Sequence, residues 1–142
     1  MHGTVVVDAS VWTSRLVAHD VNHSDSLLWL SQYVARGGQV LAPEFLVIEV
    51  IAAVARQAGL SHSAKRLIPY LYYHAAIQFL TLDTQMVRRT AAIAADLRLK
   101  AGDAIYVAVA EQTSSPLVSL DNQQLQRASS LVETYTPGNY PF

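Results

Sequence analysis

Five short runs rich in β-branched and apolar residues, at 4–7, 39–41, 77–82, 117–120 and 131–134, alternate with longer stretches of helical composition. That alternation constrains the fold more than any other feature of the chain. Strands separated by one or two helices cross over and pair in parallel, which points to an α/β fold with a largely parallel sheet. Helix punctuation fits the same plan. Ser24 is placed to cap a helix that ends near Gly37 and Gly38, Pro43 suits a first helical turn, and Gly59 suits a helix stop. Ser61 opens a segment that Pro69 is expected to kink or break near Ile68. Asp83 can cap a long helix through Leu97, and Gly102 and Asp103 open an apolar helix over 104–110.

The chain has 142 residues, 51% of them apolar and 15% charged, enough to build a core and too apolar for disorder. No repeat, linker or low-complexity tract divides it, so a single domain over 1–142 is expected. Its last residues, TPGNYPF at 136–142, read as an extended tail. Tyr140 and Phe142 either pack back on the domain or serve a partner, and burial statistics favour packing back.

Several function classes drop out. With no cysteine there is no disulfide scaffold, cysteine zinc site or thiol nucleophile. The longest apolar run, 45–55, is interrupted by Glu49 and falls short of the roughly 18 residues of a membrane span. The opening MHGTVVVDAS has neither a basic stretch nor a long apolar core, so no secretory signal and a cytoplasmic location are expected. There is no GxGxxG, P-loop or GxSxG, and His2, His19, His23, His62 and His74 show no metal-ligand spacing. A receiver or dehalogenase domain also places Asp after its first strand. However, DAS at 8–10 lacks the DxD of the second, and the acidic pair preceding that strand in the first is absent.

The acids carry the chemistry. Asp8 follows TVVV and Asp121 follows LVSL, which puts both carboxylates at the carboxyl ends of strands, where open parallel sheets bind ligands. Each has a second reading as a helix N-cap, and for Asp83 the cap reading suffices. Glu49 sits in FLVIEVIAAVA, apolar on nearly every face, where a carboxylate must neutralise, find a cation or sit at an opening. Arg56 is two turns away, too far for a helical i,i+4 pair. Glu44 lies on another face and suits the helix dipole. Asp103 begins AIYVAVA as a cap or as a ligand. Four carboxylates meeting at the sheet's carboxyl edge would repel unless a divalent ion joined them, and an all-oxygen donor set favours Mg²⁺ or Mn²⁺ over zinc.

VVVDAS at 5–10, Glu49 after AP at 42–43, GDAIYVAVA at 102–110 and LVSLD at 117–121 resemble the PIN domain, and more narrowly the VapC-type toxins of bacterial toxin–antitoxin pairs. The match spans nearly the whole chain, in order. It implies a three-layer α/β fold, a five-stranded mainly parallel sheet flanked by helices, and a metal-dependent endoribonuclease. Asp8, Glu49, Asp103 and Asp121 would be the acidic cluster, with Ser119 and Ser10 as supporting polar contacts. Asp8 and Asp103 would be the most direct Mg²⁺ or Mn²⁺ ligands. Gly102 departs from relatives that carry a larger residue there, often aromatic, and this bears on the rim of the site. The resemblance also implies an RNA substrate, a homodimer and a small antitoxin laid over the acidic groove. A non-cleaving PIN-fold module that binds RNA or protein is the alternative, separated from the first by metal-dependent turnover.

The net charge of −1 is no sign of a generally basic nucleic-acid binder. Setting the four acids aside leaves ten basic residues against seven acidic, a balance of +3. Arg15, Arg98 and Lys100 are candidates to touch an RNA backbone, with ordinary surface charge as the other reading. The stretch LIPYLYYHAA at 67–76 suits either a partner contact or core packing.

Overall fold

A computed structural model describes residues 3–142, which leaves His2 outside the described residues. The chain forms β1 (Thr4–Val7), α1 (Ala9–Leu16), α2 (His23–Ala35), β2 (Gln39–Pro43), α3 (Phe45–Ala58), α4 (Ser61–Lys65), α5 (Leu67–Tyr72), β3 (Ile77–Leu80), α6 (Thr84–Leu97), α7 (Ala101–Thr113), β4 (Leu117–Val118), α8 (Asn122–Ala128) and β5 (Thr134–Tyr135). The strands make one five-stranded sheet in the order β3-β2-β1-β4-β5, every pairing parallel, as the alternation predicts.

β1 is the central strand. Val5, Val6 and Val7 are fully buried, which is why this segment is an unbroken valine run and not an alternating one. The chain builds outward from β1 through β2 to β3, then returns to lay β4 and β5 on the other side. The winding direction therefore reverses between β1 and β4, and a crevice opens at their carboxyl ends. The register sets Val7 beside Val118, so Asp8 and Ser119 become neighbours across it.

α7 packs against β1, β2 and β4 and carries α6 on its other side. Being covered on both sides, it buries Ala104 and every residue from Tyr106 to Ala110, so it needs no polar face. α3 turns the stripe Leu46, Val50, Val54 to the core, and that leaves Glu49 half-buried on its flank.

Several boundaries differ from the sequence expectation, each for a local reason. Pro43 ends β2 and does not start α3, whose N-cap is Glu44. α2 begins at His23 after Asn22, so Ser24 lies inside it. The helical break falls at Arg66, between α4 and α5, and Pro69 sits in the first turn of α5, where its missing N–H costs nothing. α7 starts at Ala101, three residues before the expected 104, and β4 and β5 shrink to two residues each, β5 shifting to Thr134–Tyr135. Gly59 does stop α3, in the left-handed conformation at φ +68°. The tail packs back: the Tyr140 ring meets Trp29 at 5.4 Å and Tyr33 at 5.8 Å, and the Arg36 guanidinium lies 4.5 Å from the Phe142 ring. Among the described residues no helix is long and apolar enough to cross a membrane.

Candidate active site

Asp8 stands at the carboxyl end of β1 and caps α1, so the capping and crevice readings hold together. Its Oδ1 accepts from the Ser10 backbone N–H at 3.1 Å and from the Ser10 hydroxyl at 2.5 Å. Its Oδ2 accepts from the Ser119 hydroxyl at 2.5 Å. The Val11 backbone N–H acts on the same carboxylate, so the start of α1 and Ser119 together fix its orientation. Only 4% of Asp8 is exposed, and burial pushes its carboxyl up to about 6 against the opposing pull of the two serine hydroxyls, with the Asp103 charge adding to the rise.

Ser119 and Ser10 tie the two loops together. The fully buried Ser119 also accepts from the Asp121 backbone N–H at 2.9 Å, and Ser10 accepts from the Leu120 N–H at 3.0 Å. The β4–α8 turn is thereby locked against the start of α1. Asp121 caps α8, its Oδ1 accepting from the N–H groups of Gln123 and Gln124 at 3.1 Å each, and the residue is exposed.

Asp103 occupies the first turn of α7 and is not its cap; that position belongs to Lys100. The earlier helix start explains the difference, and it frees the Asp103 carboxylate from backbone duty. Among the described residues it makes no hydrogen bond or ion pair through its side chain. Burial and the Asp121 charge hold it above the ordinary carboxylate range, while Lys100 acts the other way. The same carboxylate raises both Asp8 and Glu49, so Asp103 is the common neighbour of the other three acids.

Glu49 reaches from α3 onto the start of α7. Tyr106 donates its hydroxyl to Oε1 at 2.5 Å, and burial raises the carboxyl against that bond. A Cβ at Gly102 would lie 3.0 Å from Glu49 Oε2 and 3.0 Å from the Phe45 ring. The lack of a side chain at Gly102 is thus what lets Glu49 lie against α7. Beside Glu49 and Ser10, a cleft of about 420 Å³ runs between α1 and α3, with Thr13, Ile48 and Arg56 on its walls.

Sequence reasoning missed two residues. Tyr106 lies one turn after Asp103 on α7, an i,i+3 relation visible in GDAIYVAVA. Gln124, 1% exposed, has its Oε1 3.0 Å from the Ser119 hydroxyl and donates its Nε2–H to the Asp103 carbonyl at 3.3 Å. Nothing in QQLQRA at 123–128 sets it apart from its neighbouring glutamines.

The basic candidates divide. Lys100 is exposed beside Asp103, and Arg98 is exposed at the left-handed end of α6, where its carbonyl accepts from Arg127. Arg15 is elsewhere: it lies in the last turn of α1, beside His74 and the amino edge of the sheet. The 67–76 stretch serves both readings, because Leu71 and Ala76 are core while Tyr72 and Tyr73 are 44% and 87% exposed.

The donor chemistry fits a hard divalent cation. The four carboxylates form no ion pair among the described residues; burial and the Asp103 charge raise Asp8 and Glu49, and burial and the Asp121 charge raise Asp103. Such a site gains from a cation. The coupling is pairwise, through Asp103. No group of three or more acids or histidines among the described residues is closed around one point.

A family model described as the PIN domain matches residues 5–130. No curated protein matches the chain. Among solved structures, it is similar to VapC20 of Mycobacterium tuberculosis, a Sarcin-Ricin loop cleaving toxin, at 16% identity over 91% of this chain and 97% of that one, with a TM-score of 0.73. FitAcB from Neisseria gonorrhoeae matches at 18% identity over 96% and 99%, with a TM-score of 0.62. A toxin–antitoxin complex from Klebsiella pneumoniae matches at 13% identity over 97% and 99%, also with a TM-score of 0.62. At these identities the likeness is one of fold.

Proposed function

Since the chain belongs to the PIN-domain family, we propose that it is a metal-dependent endoribonuclease, the toxin of a toxin–antitoxin pair. The observation that carries this reading is the placement of Asp8, Glu49, Asp103 and Asp121 at the β1/β4 crevice, coupled through Asp103 and free of ion-pair partners.

Asp8, at the end of β1, and Asp103, whose carboxylate makes no hydrogen bond or ion pair among the described residues, would hold Mg²⁺ or Mn²⁺ most directly, with Glu49 and Asp121 completing the set. When bound, the ion would activate water and offset charge on the phosphoryl oxygens. The remaining work falls to the chain. Ser10 and Ser119 fix the Asp8 carboxylate, so little reorganisation is needed at the moment of reaction. Tyr106 holds one oxygen of Glu49, leaving the other to accept a proton from water. Lys100, beside Asp103, supplies positive charge for an RNA phosphate.

Solved relatives include a toxin–antitoxin complex. By analogy an antitoxin would lie over the acidic groove, where Ile48, 65% exposed, offers an apolar contact, and the exposed Tyr72 and Tyr73 would serve a homodimer. The deciding experiment is cleavage of a mixed RNA pool with Mn²⁺ or with chelator, by the parent, Asp8→Asn and Asp103→Asn proteins. Metal-dependent cutting lost in both variants supports the reading. Folded parent protein that binds RNA without cutting it favours a binding module, and cutting that survives both substitutions overturns the site.

A further inference from the structure

At the amino edge of the sheet, opposite the acids, α1, α2 and the turn before β3 enclose a second cleft of about 290 Å³. Arg15, Trp12 and His74 bring N–H donors to it, and Ser31 a hydroxyl that can donate or accept. Arg15, one turn after Trp12 on α1, forms no ion pair among the described residues. Trp12 is 1% exposed, and its indole Nε1–H has no acceptor, a deficit that destabilises the fold when left unmet. The indole ring meets His74 edge-on at 5.4 Å. His74 accepts the Ala76 N–H on Nδ1 at 3.1 Å, so its own proton sits on Nε2, a further donor. Ser31 adds a hydroxyl, Leu30 and Val34 form an apolar wall, and no acid lines the cleft.

We propose that this cleft binds a carboxylate carried on a short aliphatic chain, with Arg15, Trp12 Nε1–H and His74 Nε2–H as its donors. One guanidinium matches one carboxylate in charge and planarity, and the methyls of Leu30 and Val34 suit a branched tail. A phosphate would ask for more counter-charge and make no use of the apolar wall. The cleft shares no residue with the proposed catalytic site, so the inference does not depend on that reading.

A free short-chain acid and the C-terminus of a peptide share this chemistry. Isovalerate probes the first and N-acetylleucine the second, with isovaleramide and inorganic phosphate as controls. The full chain carries two tryptophans, so its ¹⁵N-labelled form gives two indole N–H signals, assigned with Trp12→Phe. The Trp12 signal is expected to move saturably with isovalerate or N-acetylleucine, the tighter ligand naming the source, while the Trp29 signal stays. Isovaleramide should leave both unmoved, and Arg15→Gln should weaken binding about ten-fold, the loss of one charge-assisted contact. No saturation by about 10 mM, a limit set by one such contact plus a few buried methyls, overturns the proposal. So does equal binding of the amide, tighter binding of phosphate, or an unchanged affinity in Arg15→Gln.

Discussion

The hydroxyl of Ser119 donates to Oδ2 of Asp8 at 2.5 Å, across a sequence separation of 111 residues. This bond joins the ends of β1 and β4 where the sheet reverses its winding direction. It also leaves Asp8 ionisable in a place where burial alone would favour the neutral acid.

That balance has a consequence for stability. The Asp8 carboxyl titrates near 6 when folded, above its ordinary 3.8, so between these values the folded chain binds more proton than the unfolded one. Stability from this group is therefore full below about pH 4 and lost as pH rises through about 6, by roughly 3 kcal/mol. In chelator, Asp8→Asn is expected to be more stable than the parent at pH 7.5, the gap closing by pH 4. Paired thermal melts check this, and added Mn²⁺ should shrink the gap at pH 7.5 by stabilising only the parent.

Gly102→Ala separates stability from activity. Alanine favours the helix by up to about 1 kcal/mol, yet its Cβ would press within 3.0 Å of Glu49 Oε2 and the Phe45 ring. Nuclease activity should fall about ten-fold, as for a disturbed metal-site neighbour, with a melting temperature unchanged or higher. A large loss of stability would mean that α3 and α7 cannot give at this contact.

Tyr106→Phe removes the donor that holds the Glu49 carboxyl down. The carboxyl then rises further, and the acidic limb of the pH–rate profile should move to higher pH, with the alkaline limb unmoved. Cleavage rates from pH 5 to 9 decide it. A uniform drop at every pH would mean that Tyr106 only packs.

Asp83 and Asp121 are both side-chain helix caps, but only Asp121 acts on Asp103. Each changed to Ala should cost about 1 kcal/mol of stability, the usual value of a cap. Asp83→Ala should cleave RNA normally, whereas Asp121→Ala should lose activity and bind Mn²⁺ more weakly. Urea melts with Mn²⁺ titration of the three proteins test the pair.

The strand-ending acids Asp8 and Asp121 were legible because a carboxylate directly after an apolar run has few places to go but the sheet's carboxyl edge. Glu49 was legible because an acid on an apolar helix demands a reason. The direction of Arg15 was not legible: a position two turns from Asp8 along the chain says nothing of it, and α1 carries the residue to the amino edge. Asp103 looked like a cap because Gly102 precedes it, whereas the helix had already begun at Ala101.

By itself, the sequence determined the alternation of strands and helices and the parallel sheet, because hydrophobic pattern and crossover length are properties of the chain order. It also determined which residue types could carry chemistry. Only the tertiary structure decided the strand order, with β1 at the centre and the crevice beside it. The bonds from Tyr106 to Glu49 and from Ser119 to Asp8 were likewise settled there. Those contacts link residues 57 and 111 positions apart, and no local preference for helix, strand or turn encodes a distance that appears only when the layers close.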